Sequence, residues 1–259
     1  MNNTILITGA TSGFGKAIAA RFAQEGYTVC ITGRREDRLA AIRQELEQQY
    51  LVKVITLAFD VRDRKQVETA ISKLKEQVTS IDILVNNAGL ASGMTTIDEG
   101  NLDDWDLMID TNLKGLLYVT RQIAPMMRAQ AHGHIINVGS TAGKQVYKNG
   151  NVYCATKFAV DALNQAMRID LLPYGIKVTA INPGMAETEF SLVRFKGDEE
   201  RAKNVYAGIK PLQAADIADI AWYCASLPPH VCINDLTVTC LTQATSVYAI
   251  KEEDRVKNR

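Results

Sequence analysis

Residues 4–15 read Thr4-Ile5-Leu6-Ile7-Thr8-Gly9-Ala10-Thr11-Ser12-Gly13-Phe14-Gly15. A short apolar run ends in a glycine turn, and helical periodicity sets in over 15–24. Glycines let such a turn be tight and let the backbone approach a pyrophosphate, while the helix N-terminus offers amide donors and a favourable dipole. The spacing is G-x-x-x-G-x-G, not G-x-G-x-x-G, and a lone glycine turn is weak evidence. Its place directly after the first strand makes it a candidate dinucleotide site, with a plain strand–helix turn as the alternative. The candidate contacts are Gly9, Thr11, Ser12, Gly13, Phe14 and Gly15.

Outward from this unit the chain alternates. Apolar, β-branched runs at 27–32, 51–59, 81–85, 134–138, 176–181 and 236–240 read as strands. They are nearly continuous in apolar residues, which suits strands covered on both faces. Helical periodicity fills 36–49, 65–78, 103–130, 152–172 and 214–226. The expected fold is α/β: a single-domain, Rossmann-type doubly wound parallel sheet of about seven strands with helices on both faces. The domain is expected over 1–243. Within it, 185–210 is a polar insertion read as a substrate lid. The tail 244–259, ending KEEDRVKNR, reads as a solvated, frayed end or a partner-contacting arm.

The 259 residues suit one large domain, and 29 basic against 29 acidic residues leave no basic excess for nucleic acid. The cysteines, Cys30, Cys154, Cys224, Cys232 and Cys240, are odd in number and widely spaced, which argues against a disulfide framework or zinc site and for a reducing compartment. The start has neither a basic nor an apolar leader region, and no stretch of about 18 apolar residues exists to span a membrane. A soluble cytoplasmic protein is expected, with no nucleic-acid or membrane partner. No metal is expected: His132, His134 and His230 lack further ligands at suitable spacing.

The second strand ends Ile31-Thr32-Gly33-Arg34-Arg35. An NAD site of this type places an acid there for the ribose hydroxyls. Two arginines stand there instead, unfavourably placed against a helix dipole unless an anion meets them. Guanidinium matches a 2′-phosphate, so NADP is expected over NAD.

Tyr153 and Lys157 share a helix face at i, i+4, and Ser140 lies just past the fifth strand. A phenol is a poor base at neutral pH unless a nearby ammonium and an oxidised nicotinamide lower its pKa. Tyr153 is then expected to exchange a proton with a carbonyl or alcohol oxygen that Ser140 positions. Lys157 would also bind the nicotinamide ribose, and Asn112 is a candidate water-holding relay member. A second pair, Tyr206 and Lys210, has no Ser in the equivalent place and reads as a chance surface pair.

These pieces, in this order, resemble the short-chain dehydrogenase/reductase family. They are TGxxxGxG at 8–15, Asn86-Asn87-Ala88-Gly89, Asn112, Ser140, Tyr153-x-x-x-Lys157 and Pro183-Gly184-x-x-x-Thr188. The resemblance implies that Asn112, Ser140, Tyr153 and Lys157 are the catalytic set. It implies Asp60 and Val61 beside the adenine, Asn87 along the cofactor, and Pro183, Gly184, Met185 and Thr188 around the nicotinamide carboxamide and phosphates. It also implies a homo-oligomer, usually a tetramer, built on the helices at 103–130 and 152–172. The run Thr188-Glu189-Phe190-Ser191-x-Val193-Arg194-Phe195 is similar to the NADP-dependent 3-hydroxy acid dehydrogenases, also described as serine or L-allo-threonine dehydrogenases and malonic semialdehyde reductases. Residues 144–149 and 241–243 depart from that group. The resemblance implies a small hydroxy acid or semialdehyde as substrate. A broader carbonyl or 3-oxoacyl reductase and a non-catalytic NADP-binding protein are the alternatives. In the insertion, Arg194 reads as a carboxylate clamp or a solvated lid arginine, and Phe190 as a shield of the hydride path or simple packing.

Overall fold

Ile5 and Ile7 face one hydrophobic core and Leu6 the other, so the first strand already separates two layers. A computed structural model describes residues 3–256. In chain order it contains β1 (Thr4–Ile7), α1 (Gly13–Gln24), β2 (Thr28–Gly33), α2 (Glu36–Tyr50), β3 (Val54–Ala58), α3 (Arg64–Lys75) and β4 (Ile83–Asn86). There follow α4 (Leu102–Ile109), α5 (Leu116–Gln130), β5 (Gly133–Val138), α6 (Asn151–Leu171) and β6 (Ile176–Pro183). The chain closes with α7 (Glu189–Arg194), α8 (Glu199–Asn204), α9 (Ala214–Ser226) and β7 (Asp235–Val238). The sheet has seven parallel strands in the order β3-β2-β1-β4-β5-β6-β7. Strand order reverses between β1 and β4, and a doubly wound sheet opens its binding crevice at such a point.

The layers follow from side-chain periodicity. α1, α2 and α9 press Ile18, Phe22, Leu39, Leu46, Ile217 and Ala221 onto one face. α3, α5 and α6 press Val67, Ile71, Val119, Ile123, Val160 and Met167 onto the other.

Four expectations need correction. The third strand starts at Val54, not at 51, because Leu51 caps α2 in the left-handed region with φ 55°. The last strand runs Asp235–Val238 and not to 240. The helix expected over 103–130 is interrupted by a π turn at Asp110–Gly115. The tail does not fray at its start. Ala244 and Thr245 donate backbone bonds to the Tyr248 carbonyl, Ile250 to Thr242 and Glu252 to Gly208, which folds 244–252 back onto the body. Residues 257–259 of that tail lie outside the described residues.

Candidate active site

A cavity of about 530 Å³ opens at the carboxyl ends of the strands. Its size suits a cofactor-sized ligand. The glycine turn forms one end. Gly9 (φ +67°) and Gly13 (φ +52°) hold backbone shapes that side chains resist. Asn87 braces the turn by donating to the carbonyls of Thr8 (2.8 Å) and Gly9 (3.0 Å). Ser12, the N-cap of α1, makes no side-chain bond to the helix, and no acid stands in the first turn. The first amides of α1 thus keep their donors for an anion, so this end fits a pyrophosphate. Gly15 does not line the cavity. A side chain there would meet the Gly9 carbonyl oxygen at 2.5 Å, so this glycine serves close helix–strand packing.

Arg34 and Arg35 line the same end. Arg34 is well exposed, with only a 4.0 Å approach to Asp60. Asp60 is held mainly by Arg62, at 2.6 Å. Burial pushes the Asp60 carboxyl up, but its bonds with Arg62 outweigh that and leave it below the usual range. Arg35 donates to the Thr11 hydroxyl at 2.7 Å and the Ser12 hydroxyl at 3.2 Å. Cations without an acid at the end of β2 fit a phosphorylated ribose.

The middle of the cavity is lined by Ser140, Tyr153 and Lys157. Ser140 caps a short 3-10 turn, its hydroxyl accepting from the Ala142 amide at 3.0 Å. The Lys157 ammonium donates to the Val138 carbonyl at 2.9 Å and lies 6.0 Å from the Tyr153 ring centre. Both side chains are buried. Burial pushes the Tyr153 phenol up to about 12, against the pull of the Ser140 hydroxyl, and pushes Lys157 down to about 8. In the chain alone, burial outweighs the pull of a cation that is turned to Val138, and the phenol stands above its ordinary value.

Asn112 sits in the π turn and does not line the cavity, although Thr111 does. Its amide accepts from Leu90 N–H (2.8 Å) and donates to the Leu90 carbonyl (2.8 Å) and the Thr156 hydroxyl (3.1 Å). The side chain thereby braces the loop after β4. π turns often mark functional positions.

Phe14, Val61, Asn87, Pro183, Gly184, Met185 and Thr188 also line the cavity, as do Phe190 and Arg194 from the segment 185–210. Phe190 and Arg194 share one face of α7. Phe190 packs 5.6 Å from the Tyr153 ring, and the Arg194 guanidinium lies 5.0 Å from it. Arg194 donates to the Tyr147 hydroxyl, while its buried Nε has no partner. The reading of Tyr206 as a surface residue is corrected. Its hydroxyl donates to the Ala186 carbonyl at 2.7 Å and meets Ser191 at 2.7 Å, facing the cavity, whereas Lys210 is exposed. Tyr147, Gln243 and Ser246 are lining residues that motif reading missed. The departures of 144–149 and 241–243 from the related group are the signal for Tyr147 and Gln243, and Ser246 carries none. Among the described residues, no group of three or more His, Cys, Asp or Glu is placed to hold a metal, and His134 is buried against the Thr179 hydroxyl.

A strand-end glycine turn, a Ser-Tyr-Lys set at mid-cavity and an all-parallel sheet together define a dinucleotide-dependent oxidoreductase fold. The chain belongs to the short-chain dehydrogenase family, whose model matches residues 3–198. It is 46% identical over 241 residues to the NADP-dependent 3-hydroxy acid dehydrogenase YdfG of Salmonella typhi, covering 93% of this chain and 96% of that protein. It is 44% identical over 254 residues to sulfoacetaldehyde reductase 2 of Chromohalobacter salexigens, covering 98% and 100%. Among solved structures, a closed form of serine dehydrogenase complexed with NADP+ matches with TM-score 0.89 and 44% identity, over 96% of this chain and 99% of that one.

Proposed function

We propose that this chain is an NADP-dependent oxidoreductase acting between the C3 hydroxyl and carbonyl of small 3-hydroxy acids of the serine, allo-threonine and 3-hydroxypropionate/malonic semialdehyde type. The observation that carries the substrate class is Arg194. Its guanidinium lies over the phenol with a buried, unpartnered Nε, beside the Tyr147 hydroxyl. An acid group there would hold C3 near Tyr153. The match with a sulfoacetaldehyde reductase along its full length adds a second reading, a short aldehyde bearing a sulfonate, whose oxygens the same two side chains would meet.

The glycine turn and α1 would hold the pyrophosphate, Arg34 and Arg35 the 2′-phosphate, and Asp60 and Val61 the adenine. Lys157 would hold the nicotinamide ribose, with residues 183–188 around the carboxamide. When bound, the nicotinamide supplies or accepts the hydride. The neutral Tyr153 phenol would give its proton to the carbonyl oxygen in reduction and be left as phenolate, and in oxidation that phenolate would take the proton from the alcohol and return to the phenol. Ser140 donates to that oxygen and orients it. Phe190 and the segment 185–210, acting as a lid, exclude water. Among the described residues no helix is long and apolar enough to cross a membrane. We further propose a cytoplasmic homo-oligomer, of tetrameric type.

Steady-state kinetics test this reading. Tyr153→Phe should lower kcat by at least about 100-fold. Arg194→Leu should lower kcat/KM about 10- to 100-fold on malonic semialdehyde or sulfoacetaldehyde, and much less on an uncharged aldehyde of equal length. Equal losses on charged and uncharged substrates would remove the clamp.

A further inference from the structure

The first residue of α7, Glu189, is not absorbed by the chemistry above. It lines the cavity together with Arg34 and Arg35. Its carboxylate accepts from Arg38 at 2.7 Å and from Arg35 at 3.2 Å. The bonds with Arg38 and Arg35 hold its carboxyl below the usual range although burial opposes them. Arg35 is also the guanidinium that grips Thr11 and Ser12 of the glycine turn. One residue earlier, Thr188 packs against Gly13, where a side chain would meet its Cβ at 3.4 Å. The root of the lid therefore rests on the cofactor loop, and its first carboxylate neutralises Arg35, one of the two arginines that the proposed function assigns to the 2′-phosphate, together with its neighbour Arg38.

We propose that Glu189 is a phosphate-mimicking latch: in the free protein it occupies Arg35 and Arg38 and pins the N-terminal end of α7, and a 2′-phosphate displaces it. The inference rests on the reading that Arg34 and Arg35 receive that phosphate. Two anions then compete for one cationic cluster, and they repel each other. Each partly exposed ion pair is modest, so the coupling amounts to a few-fold in affinity. By linkage, whatever releases the carboxylate tightens phosphate binding, and phosphate binding frees the end of the helix by the same factor.

The test uses the full-length protein and Glu189→Gln, with two readouts that do not need turnover. NADPH and NADH affinities are measured by nicotinamide fluorescence. Amide hydrogen exchange is followed across 186–206, with and without adenosine 2′,5′-bisphosphate, which carries the 2′-phosphate but no nicotinamide. Glu189→Gln should tighten NADPH binding about three- to ten-fold and leave NADH within about two-fold. The gain should shrink at high salt. The variant's free lid should exchange faster at 189–194, and in the parent the bisphosphate, but not AMP, should produce the same acceleration. Unchanged or weaker NADPH binding in the variant, or α7 exchange indifferent to both substitution and bisphosphate, overturns the latch while the parent's NADPH preference stands. A parent that binds NADH and NADPH equally overturns the 2′-phosphate reading, and the latch falls with it.

Discussion

Tyr153 and Lys157 are pressed by the same burial in opposite directions, and both toward the neutral form. For Lys157 the folded value of about 8 lies below the ordinary 10.5. Below pH 8 both folded and unfolded chains carry the proton, and the folded state bears the full cost of a buried cation. Between about 8 and 10.5 the unfolded chain binds more protons, so stability should rise with pH across that window. The cost corresponds to about 3 kcal/mol at 1.36 kcal/mol per unit, reduced by the bond to Val138. Lys157→Met should therefore abolish most turnover yet unfold at or above the parent's midpoint at pH 7, and a clearly lower Tm would contradict this account. Proton donation by Tyr153 asks for the neutral phenol, which persists throughout the neutral range. Reduction should hold steady to about pH 8 and fall beyond it as Lys157 discharges, while oxidation should gain with alkalinity. Coincident profiles for the two directions would argue against these assignments.

Elements decide how such residues are held. The π turn at Asp110–Gly115 lets Asn112 reach sideways and close both backbone groups of Leu90. Asn112→Ala would strand these buried groups, and unfolding in urea should show a loss of about 1–3 kcal/mol, with kcat reduced as the loop after β4 loosens. A loss below about 0.3 kcal/mol would contradict the bracing role. Helix α7 has 6 residues and cannot stand on its own propensity. It is tied at both ends, by Glu189 to Arg35 and Arg38, and by the Arg194 carbonyl to Gly93 N–H with Lys196 paired to Asp104. These ties join residues distant in sequence, which explains what motif reading found and missed. The glycine turn and Tyr153-x-x-x-Lys157 are local patterns on one strand end and one helix face, so spacing together with their place after particular strands exposes them. Tyr147, Ser246 and the Arg38–Glu189 pair become neighbours only when the sheet is assembled. Asn112 was visible as a residue, but its duty depends on a wider helical turn that periodicity does not encode.

At the scale of the molecule, two cores on the faces of the sheet and a smaller cluster under α4 and the start of α6 consume the inward faces of the helices, yet the α4–α6 side keeps apolar groups in water. Leu102 is 68% exposed, Leu117 39%, Phe158 41% and Ile169 73%. Single exposed apolar residues are ordinary, but this set gathers on the helices that the proposed homo-oligomer would use. A two-fold assembly would press the patch against its own copy, removing apolar surface from both chains at once. Leu117→Glu with Phe158→Glu should then lower the mass seen by light scattering at micromolar concentration, with each chain still unfolding cooperatively, since neither side chain belongs to any of the three apolar clusters. Because α6 also carries Tyr153 and Lys157, the same variant should lose activity in proportion to dissociation and recover part of it at high protein concentration. A parent that scatters as a single chain, or a double variant of unchanged mass, would move the interface elsewhere on the surface.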